Sequence, residues 1–337
     1  MQFTRRALLN ASLGLPLAAA GLTSVKTQAQ AQAARYPHRP VRMIVPFAAG
    51  SSTDIAARSW GEIMARQIPG ASFVVENRAG AGGNIGATAV ARAPADGYTL
   101  LYSTATTYAI APFIYSDLQY QPVRDFVPVA VTTSVPTFLV CSAQSDIRSF
   151  ADLAAKVKAN PEAFNYGSNG VGTHSNITSK LICNRMGVPD LLHVPFKNGS
   201  QGVMTEIIAG RLSFAVDAWS VVGPLVRSGK LRALATIGKS RLAVAPEIPT
   251  LAELLKQDFD TLTWSGLWVP AGTSPEIVAQ LHEAVSAGRR NAPQLAKQYE
   301  DQGTPLMPDM SLPQVNAFMK QEIERWRLLV KEAQISV

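Results

Sequence analysis

The sequence predicts an α/β protein of two lobes joined by a two-strand hinge. Three observations carry that expectation. Apolar runs of strand length alternate with helix-period segments in two separate series, two extended runs interrupt the alternation, and the strand-to-helix turns are rich in Gly, Ser and Thr.

The first series begins at Val41–Val45, an apolar run that suits a buried parallel strand. Pro46 and a small-residue loop break it. Ile55/Ala56, Ser59/Trp60 and Ile63/Met64 then recur at the spacing of one helix face. Ser51-x-x-Asp54 is a helix-start signature, with Ser51 as N-cap and the Asp54 carboxylate over the first turn. Phe73–Glu76 reads as a second strand, Asn77–Asn84 as a Gly-rich turn, Ile85–Ala93 as a short helix and Tyr98–Tyr102 as a third strand. Val127–Ser134 and Phe138–Cys141 read as a crossing. Beyond them come helix Phe150–Asn160, strand Asn165–Tyr166, helix Ser175–Met186, strand Leu192–Phe196, helix Gly202–Ala209, and strands Leu212–Val216 and Leu231–Ile237. Thr263–Pro270 reads as the return crossing. Two capped helices close the chain, one starting at Ser274-Pro275 and one running from Ser311 to about Ala333. The expected lobes are therefore 35–135 plus 260–337, and 136–259, with a ligand cleft at the strand carboxyl ends.

Residues 1–33 stand apart. Arg5 and Arg6 precede an apolar, Ala-rich stretch, and A-x-A-like sites lie near Ala31–Ala34, the pattern of a cleaved signal peptide for the Sec or twin-arginine route. Loss of Arg5, Arg6 and Lys26 lowers the formal charge from +7 to +4. The mature chain has no Lys/Arg run and no basic–aromatic face, so nucleic acid is a poor partner. A mild positive bias instead favours anionic solutes. The four histidines and two cysteines show no metal-ligand spacing, and no cofactor is expected. Cys141 and Cys183 fall in a strand and a helix, where buried thiols and a disulfide are both open to an exported protein.

Three loops share one construction, in which a strand runs into Gly/Ser/Thr-rich sequence and then a helix start. They are Gly50–Asp54, Ser103–Thr107 (with Thr106 and Thr107) and Gly167–His174, and Asp217 ends a fourth strand. One such turn is ordinary. Several facing one cleft would converge N–H groups and hydroxyls on an anion without arginine or lysine. Each helix start carries roughly half a positive charge. Hydrogen bonds to an ionised acceptor contribute about 1.5–3 kcal/mol each. The set suits a carboxylate. Asp217 has two readings, helix N-cap or ligand contact, and Phe47 likewise, core or cleft wall. Trp219 and Trp264 suit hinge or core packing. Catalytic patterns are absent: there is no G-x-S-x-G elbow, no S-x-x-K and no Walker lysine. His174 as a base for Ser168 or Ser175 remains, and Ser168, His174 and Asp217 together form the hydrolase alternative.

Several ordered motifs then come together: Tyr36-Pro37, Val45-Pro46-Phe47, Gly50-Ser51-Ser52-Thr53-Asp54, Val75-Glu76-Asn77-Arg78, Gly80–Gly86, Asp96–Leu100, His193-Val194-Pro195-Phe196-Lys197, Gly229–Ala235 and Pro270–Thr273. Across essentially the whole mature chain this resembles the Bug-type extracytoplasmic solute receptors of tripartite tricarboxylate transporters. The resemblance implies a periplasmic binding protein of the Venus-flytrap kind. It would be a non-enzymatic, monomeric carrier that grips a carboxylate through backbone groups and waters and hands it to a membrane permease. A ligand-sensing partner of a membrane signalling protein would share that fold. Carried onto this sequence, the ligand contacts are Phe47, Ala48, Gly50, Ser52, Thr53 and Asp54, then Ser168, Gly172, Thr173, His174 and Asp217. Ser51 replaces the second glycine of the usual pair. Tyr108 and Ala111 depart from the family's Thr-His-Ala-Ile-Asn loop, and both changes are expected at the distal end of the ligand.

Overall fold

The computed structural model describes residues 36–335. The expected signal peptide lies outside the described residues. Val41–Val45 forms β1, buried except at Arg42, because strands pair with both its edges and the helices that follow it in the chain pack against it. Pro46 ends it. Helix α1 (Ser52–Gln67) starts where the cap predicts, with Ser51 Oγ accepting from Asp54 N at 3.3 Å. β2 (Phe73–Asn77), α2 (Asn84–Ala91) and β3 (Thr99–Thr104) follow, with β2 and β3 parallel to β1 on its two sides. The strand thus runs through Ser103 and Thr104, which the sequence places in the loop. After Ala105 the backbone makes one wide π-helical turn, Thr106–Ile110.

β4 (Phe126–Val135) and β5 (Thr137–Ser142) are one crossing, interrupted only by Pro136. The second series comprises α3 (Phe150–Ala159), β6 (Asn165–Ser168), α4 (His174–Met186), β7 (Leu192–Pro195), α5 (Gly199–Ile208), β8 (Phe214–Ala218), α6 (Trp219–Arg227) and β9 (Leu231–Ile237). A short helix, Leu251–Leu255, capped by Thr250, leads to β10 (Thr263–Pro270). Strand order is β2-β1-β3-β10-β4 in one sheet and β7-β6-β8-β5-β9 in the other. β10 pairs antiparallel with β3 and β4, and β5 antiparallel with β8 and β9, so each lobe is completed by a crossing strand.

Three helices end the chain rather than two: α7 (Pro275–Asn291), α8 (Pro293–Asp301) and α9 (Leu312–Ala333). Pro293 has no N–H to continue α7, and a new helix starts there. The segment after α8 then covers the free edge of β4. Ser134 N donates to Pro305 O at 2.8 Å and Met307 N to Thr132 O at 3.0 Å, which removes an open sheet edge.

The longest helix, α9, buries Val315, Met319, Trp326 and Val330 in a core that continues into the second lobe through Ile177 and Leu181 of α4. Its last turn reaches α4 directly, where Arg185 pairs with Glu332 and Asn184 Nδ2 donates to the Glu332 carbonyl at 3.2 Å. Deleting a side chain such as the fully buried Trp326 would cost about 3–5 kcal/mol. Cys141 and Cys183 are free and buried in the same core, and burial raises both thiols, Cys183 to about 12.

Candidate functional site

The carboxyl ends of the parallel strands in both sheets open on one cleft of about 700 Å³, a size suited to a small molecule. Its walls are helix starts. Ser52 and Thr53 come from α1, Gly83 and Ile85 from the start of α2, Thr173 to Ser175 from α4, Gly199 and Ser200 from α5, and Asp217 and Ala218 from the approach to α6. First-turn amides have no acceptor one turn back within their own helix, so five helices bring the positive ends of their dipoles to one space. Among the lining residues Lys197 is the one cationic side chain and Asp217 the one carboxylate.

Loop 46–54 is built around Asp54. Its carboxylate accepts from Gly50 N at 2.9 Å and Asn77 Nδ2 at 3.0 Å, and pairs with Arg58 at 2.9 Å. Burial pushes its pKa up, but the Arg58 hydrogen bond and the donors from Gly50 and Asn77 outweigh burial and hold it below the usual carboxylate range. Asn77 Nδ2 also donates to Phe47 O at 3.0 Å, so one carboxylate and one amide fix the loop's curvature. Phe47, Ala48, Ser51, Ser52 and Thr53 consequently line the cleft. Gly50 and Asp54 do not; they shape the loop from behind.

The facing loop closes on itself in the same way. Thr173 Oγ1 donates to Gly170 O at 2.7 Å, Asn169 N to Ser175 Oγ at 3.0 Å, and Gly172 N to Asn176 Oδ1 at 3.1 Å. Thr173 and His174 line the cleft, whereas Ser168 and Gly172 stand behind it. Of the third loop Thr106 lines the cleft. Thr107 turns inward, its hydroxyl paired with Ser103 Oγ at 2.8 Å and its carbonyl with Tyr120 OH at 2.7 Å. Tyr108 stacks on Trp268 at 5.3 Å and Ala111 is buried, and neither is among the residues that line the cleft. An aromatic ring at 108 fills a core slot beside a tryptophan.

The hydrolase constellation does not assemble. Ser168 Oγ lies 2.6 Å from His193 Nε2, not from His174. His174 directs Nε2 away from the cleft to the Thr261 carbonyl at 2.7 Å. Burial pushes both histidines down to about 4, which keeps each imidazole neutral. Asp217, 4% exposed, accepts from Ala218 N at 2.8 Å and from Asn169 Nδ2 at 3.3 Å. Burial raises its pKa, against the lowering pull of Ser200, Ala218 and Asn169. It lines the cleft with neutral partners only, and its N-cap reading does not hold: the cap of α6 is Ala218, and Asp217 belongs to β8.

The cleft wall extends beyond the residues that the sequence singles out. Gly80–Gly83, before α2, has the same strand-loop-helix construction as the other three loops and lines the cleft. Tyr115, Asn169 and Phe196 line it too, as do Thr137 and Thr263 where the crossings enter their sheets. Among the described residues no group of three His, Cys, Asp or Glu side chains could hold a metal, and no helix is long and apolar enough to cross a membrane.

Hydrogen bonds join the lobes around this cleft. Tyr115 OH donates to Val171 O at 2.7 Å, His174 N to Thr106 Oγ1 at 3.2 Å, and Gln201 Nε2 to Ala49 O at 3.4 Å. Two α/β lobes meeting over a cleft walled by helix starts define a bilobal solute-binding protein. The chain belongs to the tripartite tricarboxylate transporter receptor family, whose description matches residues 56–335. Among solved structures, the periplasmic binding protein BugD is 32% identical, with a TM-score of 0.84 over 89% of this chain and 99% of its own. Rpa4515 of R. palustris, solved with adipate, is 31% identical with a TM-score of 0.84, over 90% and 99% of the two chains. MatC of Rhodopseudomonas palustris, solved with bound malate, is 31% identical with a TM-score of 0.81, over 88% and 100%.

Proposed function

We propose that this protein is an exported, non-enzymatic receptor that closes around a small organic carboxylate and delivers it to the membrane permease of a tripartite tricarboxylate-type transporter. The observation that carries this reading is the convergence of five helix starts on a cleft with a single lysine. Such a wall stabilises an anion through fixed dipoles rather than through a cationic side chain. Residues 35–135 with 260–337, and 136–259, act as the two closing halves. Phe47, Ala48, Ser51, Ser52, Thr53 and Thr106 contact the ligand from one half. Thr173 and Asp217 contact it from the other, beside His174, whose amide is bonded to Thr106. Gly50, Asp54, Thr107, Ser168 and Gly172 hold the loops in shape. The adipate and malate held by two relatives support a carboxylate of similar size.

Titration calorimetry of the mature protein against mono-, di- and tricarboxylates tests the reading, with sugars and amines as controls. Dissociation constants near micromolar, about −8 kcal/mol, are expected for at least one carboxylate. Heat from sugars or amines alone, with every carboxylate silent, overturns it.

A further inference from the structure

The return crossing to β10 is held from both lobes at three successive residues. From the first lobe, Arg325 of α9 donates to the Asp260 carbonyl at 3.3 Å and to the Leu262 carbonyl at 2.6 Å. Glu322 fixes that guanidinium at 2.7 Å and also accepts from Trp264 Nε1 at 2.6 Å. From the second lobe, α4 takes the residue between. His174 Nε2 donates to the Thr261 carbonyl at 2.7 Å and Thr178 Oγ1 to Thr261 Oγ1 at 2.9 Å. A carbonyl acceptor places the proton of the neutral ring on Nε2.

His174 is also the first residue of α4. Its own N–H crosses the cleft to Thr106 Oγ1, and its ring, 7% exposed, meets Trp326 of α9 edge-on at 5.6 Å. One residue therefore joins the cleft wall, the opposite lobe and the crossing. A histidine that merely satisfied the core would need only the last of these.

We propose that His174 is a positioning residue that ties the ligand-facing end of α4 to the return crossing, making residues 260–262 the pivot on which the lobes close. This rests on the solute-receptor reading. An anion seated at the α4 start pulls on a helix turn whose first side chain grips Thr261. Arg325 holds the carbonyls on either side, so the displacement becomes a rotation at this point rather than a local shift of the loop. Without the tie, each lobe keeps its own ligand contacts but the closed arrangement loses part of its advantage.

Two variants separate coupling from bulk. His174→Gln keeps an amide donor near the Nε2 position, and His174→Phe keeps the ring and its edge contact with Trp326 but has no donor. Spin labels on the two lobes, read with and without a carboxylate that binds wild type, report closure; calorimetry reports Kd and thermal melting reports the fold. For His174→Phe the expected result is Kd weakened about tenfold, the order of one lost buried hydrogen bond, with a wider label-distance distribution at saturation. His174→Gln stays within about threefold of wild type on the same scale. If His174→Phe does not fold, Thr178→Val cuts the neighbouring bond to Thr261 and shows the same widening to a smaller degree. Wild-type Kd and distances in the folded variant overturn the proposal, as does a weaker Kd with an unchanged distance distribution. If wild type binds no carboxylate, the receptor reading fails separately. The pivot is then judged in ligand-free protein, where a wider distribution for His174→Phe supports it and an equal width overturns it.

Discussion

Tyr115→Phe is the smallest change that loosens the cleft mouth without touching its floor. Tyr115 comes from the first lobe and donates to the Val171 carbonyl of the second at 2.7 Å. Two glycines make room for its ring. A Cβ on Gly82 would lie 2.6 Å from Tyr115 Oη, and one on Gly172, at φ +70°, would lie 2.9 Å from Ile114 Cγ2 and 3.0 Å from Tyr115 Cε2. Phenylalanine keeps that fit and removes one hydroxyl. When the lobes part, water takes up both the phenol and the carbonyl, so the net loss is about 0.5–1.5 kcal/mol. That is about twofold to tenfold in affinity. The bond forms only when the lobes meet, so the change belongs in the dissociation rate. Stopped-flow displacement of bound carboxylate, followed by tryptophan fluorescence, measures it directly. An unchanged dissociation rate with slower association would refute the reasoning, because Tyr115 would then be shaping the open form. Gly172→Ala should act in the same direction and more strongly, since overpacking costs about 1–3 kcal/mol and the positive φ adds strain.

Three further outcomes follow from charge and burial. His174, held down to about 4 by burial, takes up a proton less readily in the folded chain than in the unfolded one, so stability is full above pH 6.5 and declines as pH falls towards 4. The loss for His174 is about 3 kcal/mol; denaturant midpoints at pH 7.5 and 4.5 check it, and His174→Gln should shrink the difference to the part that His193 contributes. Asp54→Ala leaves Gly50 N and Asn77 without their acceptor and should lower stability by about 1–3 kcal/mol and weaken carboxylate binding, both readable by thermal shift with and without ligand. An anion arriving beside Asp217 disfavours its ionised form further, so binding should take up protons and tighten as pH falls. Calorimetry in buffers of different ionisation enthalpy detects the uptake, and Asp217→Asn should abolish it.

Most of the architecture was legible because its signals are local. Ser51, Ser274 and Ser311 each announce a helix within three residues, and the apolar runs at β1, β3 and β10 are strands whatever lies beyond them. Pro136 and the extended runs beside it show where the chain leaves one sheet for the other. The errors are also local in origin. Ser103 and Thr104 look like loop residues, yet they lie between β1 and β10 in a central strand, where buried hydroxyls are satisfied by neighbours. The signals that mark Gly80–Gly83 as a cleft wall were present in the sequence, while Tyr115 has none, because its role depends on a carbonyl 56 residues away.

Asp54 and Asp217 show where reading by pattern must stop. Both are acids at the junction of a parallel strand and a helix, and by composition either could face a ligand. Asn77, 23 residues on, and Arg58, one helical turn on, close over Asp54 and make it an ionised clamp that stands behind the cleft lining. Asp217 finds only neutral donors, Ala218 N and Asn169 Nδ2, and is left at the cleft wall with its ionisation opposed by burial. The difference lies in which partners the tertiary fold delivers to an acid in a helix's first turn and to one at the end of a strand. An anion receptor with a carboxylate in its wall works only if the helix starts around that carboxylate outweigh it, or if it takes a proton when the ligand arrives. Proton uptake on binding separates these two mechanisms: with uptake Asp217 is a titrating part of the site, and without it the five helix starts alone overcome its charge.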